Sequence, residues 1–395
     1  MFPTQGCVND LNTFAYWFNT AAEHGPRVFY SVVGWCDYPP FNVYFFWGFG
    51  SLAKALSLSG SAIFYIVKLL PNLFDTATAF LIYVFVRKRL DFKAAMLATG
   101  LYAFNPAVVF NAAVWGQFDA IYTFFLVLSL MLALTSKPEL SAVTFTLGIL
   151  TKPQGIALAP LIAFLILKKY RVQWRRILTS FLAAVATVFT VILPFEWSNP
   201  VAFLSDIYFG AYGGYNFTTV NAFNMWALAG FGVRDTNFFV IGWILFGIVT
   251  AVTLYVLHKR FEADGEMIVL FSAFVLFFSF FMLPTRIHER YLFPAISILA
   301  LMISFIKKIR FLYGVLTATL LVNISYVMYW LNVYAGLPYG PNLTGDPGVL
   351  AVSLINLIVF LYVLVLMSDA LKGRSWFKIS PFKTGESGKA NVEEN

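Results

Sequence analysis

The run MIVLFSAFVLFFSFFMLPTRIHER at residues 267–290 decides the class of this protein. Its first seventeen residues, Met267 to Leu283, carry no charge, and seven residues later Arg286, His288, Glu289 and Arg290 have all appeared. That is how a helix reads as it leaves a bilayer, because a crossing needs about 20 predominantly apolar residues and ionisable groups are pushed to its ends. The apolar positions are continuous rather than alternating. They suit helices, which satisfy their own backbone groups in lipid, and not the strands of a membrane barrel.

The rest of the chain repeats the pattern. Of 395 residues, 60% are hydrophobic and only 12% charged, whereas a soluble domain carries about 25% charged residues. A water-soluble fold is excluded on that ground. The net charge of +8 sits in short clusters between apolar runs: Arg87 to Arg89, Lys168 to Arg176, His258 to Glu266, Lys307 to Arg310, and the tail from Lys372. Such clusters mark cytoplasmic loops, so the charge sets orientation and calls for no nucleic acid partner.

Between the clusters, spans are predicted at 62–86, 94–113, 118–135, 177–195, 239–257, 267–283, 292–306, 311–330 and 348–368. The interval from Lys137 to Lys168 has both ends on the cytoplasmic side and is interrupted by Thr151-Lys152-Pro153-Gln154-Gly155. It is either two short passes or a re-entrant hairpin with its polar tip inside protein. The fold expected is all-α, a polytopic transmembrane helical protein with about 11 passes in this chain. Residues 1–61 form an external segment with an amphipathic helix near Phe41 to Leu58, residues 62–371 the transmembrane domain, and residues 372–395 a disordered cytoplasmic tail. An external start without a signal peptide implies a first transmembrane helix upstream of Met1. Cys7 and Cys36 fall on that external side, where an oxidising compartment would permit a disulfide.

Five places hold the candidate chemistry, all but one on the predicted external face. In Arg286-Ile287-His288-Glu289-Arg290, the two guanidinium forks match phosphate oxygens; the same group could instead anchor the helix end by internal pairing. Asp37 precedes Tyr38-Pro39-Pro40, whose prolines fix an extended or turning backbone, and is either a holder of a polar group or an ordinary turn residue. Asp10 opens a segment that looks helical, where alone it would be a cap. Gln117 and Asp119 lie in a short loop between apolar runs. Lys152 and Gln154 interrupt the apolar hairpin, where the lysine either meets a lipid phosphate or snorkels to water. Trp35, Tyr38, Trp115 and Tyr215 suit an interfacial aromatic belt first and the lining of a ligand site second. There is no glycine-rich phosphate loop and no His-Glu-x-x-His or Cys/His metal spacing, so no cofactor and no metal are expected.

Taken in order, Asp10 with Trp17 seven positions on, Asp37-Tyr38-Pro39-Pro40, Gly116-Gln117-Phe118-Asp119, Lys152-Pro153-Gln154 and Ile287-His288-Glu289-Arg290 resemble the GT-C superfamily of membrane glycosyltransferases. The chain looks most like the lumenal enzymes that use dolichyl-phosphate glucose or mannose, including the glycolipid-anchor mannosyltransferases. The resemblance implies a polyprenyl-phosphate-linked sugar donor, a lipid-linked or protein-linked glycan acceptor, and contact with membrane lipid. It also implies Asp10 as general base, with His288, Glu289 and the flanking arginines near the phosphate or the acceptor.

The residue inventory suits that chemistry on its own terms. A sugar on a lipid phosphate already has an anionic leaving group, so one carboxylate base and a few cations suffice, and inversion at the anomeric carbon follows. Asp10 and residues 286–290 would then have to share one cavity at the outer leaflet. A transporter or lipid flippase is the alternative; it predicts paired broken helices in two halves, and only the Lys152 hairpin is of that kind.

Overall fold

The computed structural model describes residues 5–196, 198–334 and 343–374. Residues 335–342 lie outside the described residues, as do those from 375 on, most of the segment predicted to be a disordered tail. Among the described residues the chain is helical, with no β-strand and only isolated bridges between Phe217 and Arg234 and between His288 and Val220 and Asn221.

Thirteen helices of ten or more residues are described: α1 Val8–His24, α2 Pro40–Ala55, α3 Ile63–Arg87, α4 Phe92–Ala103, α5 Asp119–Leu134, α6 Pro138–Ile149, α7 Ala159–Tyr170, α8 Trp174–Ile192, α9 Pro200–Gly213, α10 Phe239–Met282, α11 Phe293–Met302, α12 Lys307–Val333 and α13 Pro347–Leu371. Among the described residues five segments are long and apolar enough to cross a membrane: Gly60–Arg87, α8, α10, α12 and α13. Phe92–Ala103 and Pro106–Trp115, bent by 41° to each other, make a sixth if they form one span. The protein is therefore an integral membrane protein.

The count of eleven passes is not matched by this. The predicted spans 118–135 and 292–306 fall on α5 and α11, of 16 and 10 residues, and the interval read as two short passes or a re-entrant hairpin falls on α6 and α7, of 12 residues each. At about 1.5 Å per residue the longest of them reaches roughly 24 Å, short of a hydrocarbon core of about 30 Å. Two further spans, 239–257 and 267–283, fall within the 44 residues of α10, which is broken at Gly265 (φ 53°, ψ −131°). Only glycine takes that backbone without a steric penalty, so the break separates two helices, as the charged cluster His258 to Glu266 between the two predicted spans requires.

The first half of α10 is flanked by exposed Val240, Ile241, Ile244 and Ile248, the lipid side, while the second half from Met267 to Met282 is buried along its whole length. Together with α11, which is buried on every face, it forms the centre of the bundle. A second core joins α1, α2 and the start of α3 through Trp17, Phe18, Phe46 and Val67, and reaches Phe118 and Ile121.

The basic clusters gather at one end of the bundle. Arg89 grips Glu266 with both arms of its guanidinium, Arg176 pairs with Glu139, and Arg260 with Asp264. The candidate residues gather where α1 begins, α3 begins, α10 ends and α12 ends, the last tied to the first by Asn332, which accepts from Val8 N and donates to Gly6 O.

Cys7 and Cys36 are separate thiols. Trp17 Nε1 donates to Trp35 O at 3.1 Å, so residue 35 lies beside the middle of α1 while Cys7 caps its start. Ten helical residues span about 15 Å, and a disulfide needs Cα atoms within about 7 Å.

Candidate active site

Three local features aim the side chains. The bent pair that α4 opens ends in a π-helix, Phe110–Trp115, closed by Gly116 in the left-handed region (φ 89°). This puts the amides of Gly116 and Gln117 on the carbonyl of Asn111, at 3.1 and 3.0 Å, and turns Trp115 and Gln117 toward α1. Single π turns of this kind recur at functional sites because they rotate side chains off the helical register. Between α6 and α7 the chain breaks at Thr151 and Lys152, and Asn42 of α2 holds the break by donating to Thr151 O at 2.5 Å. Finally, α10 ends in a turn where Arg286 takes φ +64°, uncommon for a non-glycine residue. It is fixed there by its amide on Phe217 O at 3.1 Å and by Val220 N on Ile287 O at 2.9 Å.

These turns bring the predicted residues into one polar cluster. Asp10 Oδ2 accepts from Trp115 Nε1 at 2.8 Å and from Gln117 Nε2 at 2.5 Å, and Tyr38 Oη donates to Gln117 Oε1 at 3.4 Å. Asp119, fully buried, holds Lys152 Nζ on Oδ1 at 2.9 Å and faces Arg290 Nε from Oδ2 at 3.5 Å. Arg290 also pairs with Glu289, and its guanidinium lies over the Trp115 ring, 5.9 Å from the centroid. Lys152 Nζ stands 5.3 Å from the Tyr38 ring centroid. His288 packs its ring against Tyr215 and Tyr291, at 4.9 and 5.2 Å between centroids.

In front of this cluster opens a cavity of about 420 Å³. One wall is polar, with Asp37, Lys152, Gln154, His288 and Arg290; the other is apolar, with Ile156, Phe209, Phe239, Trp243 and Phe280. Phe209 and Ile156 also face outward, 73% and 49% exposed, so the apolar wall runs out onto the exposed apolar surface. Asp10, Gln117, Asp119 and Glu289 do not line the cavity; they stand one layer behind it. Asp10 and residues 286–290 thus belong to one cluster, joined through Trp115, but the cavity wall carries Asp37 and not Asp10.

Asp37 has a buried Oδ1 without a hydrogen-bond partner. Burial raises its carboxyl to about 6, against the pull of Arg290 and Lys152. A step that uses Asp37 as a carboxylate therefore gains as pH rises through about 6. A working carboxylate at Asp37 predicts initial rates that climb between about pH 5 and 7 and a limb that is lost in Asp37→Asn, which a pH–rate profile of the two proteins would read. His288 is shifted the other way. Burial, helped by Arg290 and Lys152, holds its imidazole well below the ordinary value, which favours the neutral ring.

Arg286 stands at the far side of the cavity. Its guanidinium binds Asp235 through Nε at 2.7 Å and Nη2 at 3.3 Å, reaches Tyr212 O at 3.2 Å, and lies over the Tyr212 and Phe239 rings. Asp235 is buried and also accepts from Thr285 Oγ1 at 2.9 Å. Sequence reasoning missed Asp235, although a buried arginine needs a counter-ion and Asp235 is one of few carboxylates in the preceding loop. Of the four aromatics considered, Tyr38 and Tyr215 line the cavity, Trp115 is buried behind it, and Trp35 is 59% exposed. Among the described residues no group of three or more His, Cys, Asp or Glu side chains is placed to hold a metal ion.

The sequence model of glycosyltransferase family 87 matches residues 35–284, more than half of the chain. The match takes in Asp37, Gln117, Asp119, Lys152, Gln154 and Asp235, and stops short of Arg286. No curated protein matches the chain.

Proposed function

Because the chain belongs to glycosyltransferase family 87, we propose that its cavity takes a hexose, mannose or glucose, carried on a polyprenyl phosphate and transfers it with inversion to a lipid-linked or protein-linked glycan. As a glycosyltransferase it acts on a sugar donor and an acceptor and works among membrane lipids; the finer terms are argued from the site. The observation that carries them is the two-sided cavity. Its apolar wall of Phe209, Trp243 and Phe280 opens to the lipid-facing surface, as a polyprenyl tail requires, and its polar wall of Lys152, Arg290 and His288 suits the phosphate and sugar. A nucleotide sugar, with no apolar tail, would leave half of that surface unused.

In the proposed step the acceptor hydroxyl attacks the anomeric carbon from the face opposite the phosphate. Its proton passes to Asp10, the C1–O bond to the phosphate breaks, and the electron pair leaves with the polyprenyl phosphate, whose charge Lys152 and Arg290 stabilise. Asp10 is the base that the resemblance implies, and Trp115 and Gln117 hold its carboxylate in one orientation; it stands a layer behind the cavity wall, so the acceptor hydroxyl has to reach past that wall to it. Asp37 is the second candidate, favoured by its place in the cavity wall. The site lies at the end of the bundle away from the basic clusters, and by the positive-inside rule that end is external or lumenal.

A donor screen with synthetic polyprenyl-phosphate hexoses, followed by mass analysis of the products, tests this reading; release of a hexosylated acceptor and free polyprenyl phosphate is expected. Transfer from nucleotide sugars alone would refute it. In the same assay Arg286→Ala is expected to raise the donor KM about tenfold or more with a smaller change in kcat. The side chain walls the cavity, and a hydrogen-bonded charge contributes about 1.5–3 kcal/mol.

A further inference from the structure

Beside the donor cavity lies a second, more open one of about 590 Å³, lined by Asn216, Arg234, Asp235, Thr236, Phe239 and Arg286. The two cavities share Phe239 and Arg286 as a common wall. Their chemistry differs. The first has a broad aromatic wall, while the second has a single apolar residue, Phe239, and is otherwise made of an amide, a hydroxyl, a carboxylate and two guanidinium groups. A polyprenyl chain has nothing to lie against there.

Resting on the reading of the protein as a glycosyltransferase, we infer that this second cavity is the subsite for the glycan of the acceptor. A pyranose presents hydroxyls around its rim and an apolar face of C–H groups, and it is held by hydrogen bonds to polar side chains and by stacking on one ring. The forked donors of Arg234, the amide of Asn216 and the hydroxyl of Thr236 surround the edge of such a ring, and Phe239 supplies the face.

The scaffold is fixed independently of any ligand. The Asp235 amide donates to Asn216 O at 3.3 Å, the Phe217–Arg234 bridge joins the two segments, and Arg234 stacks over Phe217 at 5.1 Å from its centroid. Asp235 lines this cavity and holds the Arg286 guanidinium against it. An acceptor seated there reaches the donor past Arg286, two residues from His288.

The test uses the full-length protein in nanodiscs with methyl glycosides of mannose and glucose and their disaccharides as probes, read by saturation-transfer NMR. Saturable binding by the wild type, weakened at least tenfold in Arg234→Ala and in Asn216→Ala, supports the subsite, as does a rise in acceptor KM with the donor KM unmoved. Both side chains are at least partly exposed, so the variants retain the fold, which an unchanged thermal midpoint would show. Lack of glycoside binding by the wild type, or binding unchanged in both variants, overturns the subsite. Binding that depends on Arg234 in a protein that consumes no lipid-linked donor would instead leave the subsite standing and remove the transferase reading it rests on.

Discussion

Asp10→Asn is expected to leave the folded protein intact and to lower transfer by about 10²–10⁴-fold, the range that a positioned general base supplies. Asparagine keeps the shape and the hydrogen-bond acceptor that Trp115 and Gln117 address, so the start of α1 and its contacts survive. What it loses is the capacity to take a proton. Were Asp10 only a structural acceptor, the substitution would cost no more than one neutral hydrogen bond, about 0.5–1.5 kcal/mol, and turnover would fall by roughly tenfold at most. The two roles therefore differ by an order of magnitude or more. Asp37→Asn in the same assay decides between the two carboxylates: if it takes the larger loss and Asp10→Asn turns over undiminished, the proton goes to the cavity wall and not to the layer behind it.

That layering could not be seen in the sequence, although much else could. Arg286 to Arg290 stood out because four ionisable groups directly follow an uncharged run, and the cost of charge near lipid is steep enough to demand a partner or a ligand. Asp37, Gln117 and Lys152 were legible as polar residues on or beside one face, and the contacts Tyr38–Gln117, Gln117–Asp10 and Lys152–Asp119 join them. The partnership of Arg286 with Asp235 was not legible. Fifty-one residues separate them, and Arg234-Asp235-Thr236 carries no local pattern that announces a buried counter-ion. The eleven crossings are not confirmed for a different reason: the composition of α5 and α11 is as apolar as that of a spanning helix, and only their length, set by Gly116, Phe118 and the turn at 303–306, tells them apart.

Asp119 offers the largest expected effect on stability, because one carboxylate serves two cations. Lys152 and Asp119 are 5% and 0% exposed as side chains, and Arg290 approaches the same carboxylate from its other oxygen. A buried pair adds little over an apolar substitute, yet removing one partner leaves the other charge unpaired at a cost of about 3–5 kcal/mol. Asp119→Asn is therefore expected to lower the thermal unfolding midpoint of the detergent-solubilised protein by several degrees. Lys152→Met costs less, since Asp119 keeps Arg290, and Arg290 keeps Glu289. In the double variant Asp119→Asn with Lys152→Met the lysine no longer needs a counter-ion, so the two losses do not add, and the midpoint recovers part of what Asp119→Asn alone removes. Additive losses in that cycle would mean that Asp119 stabilises the fold through Asn111 or through packing, and that Lys152 is free to find its charge partner elsewhere, in which case the polar wall of the cavity is held by other groups than this pair.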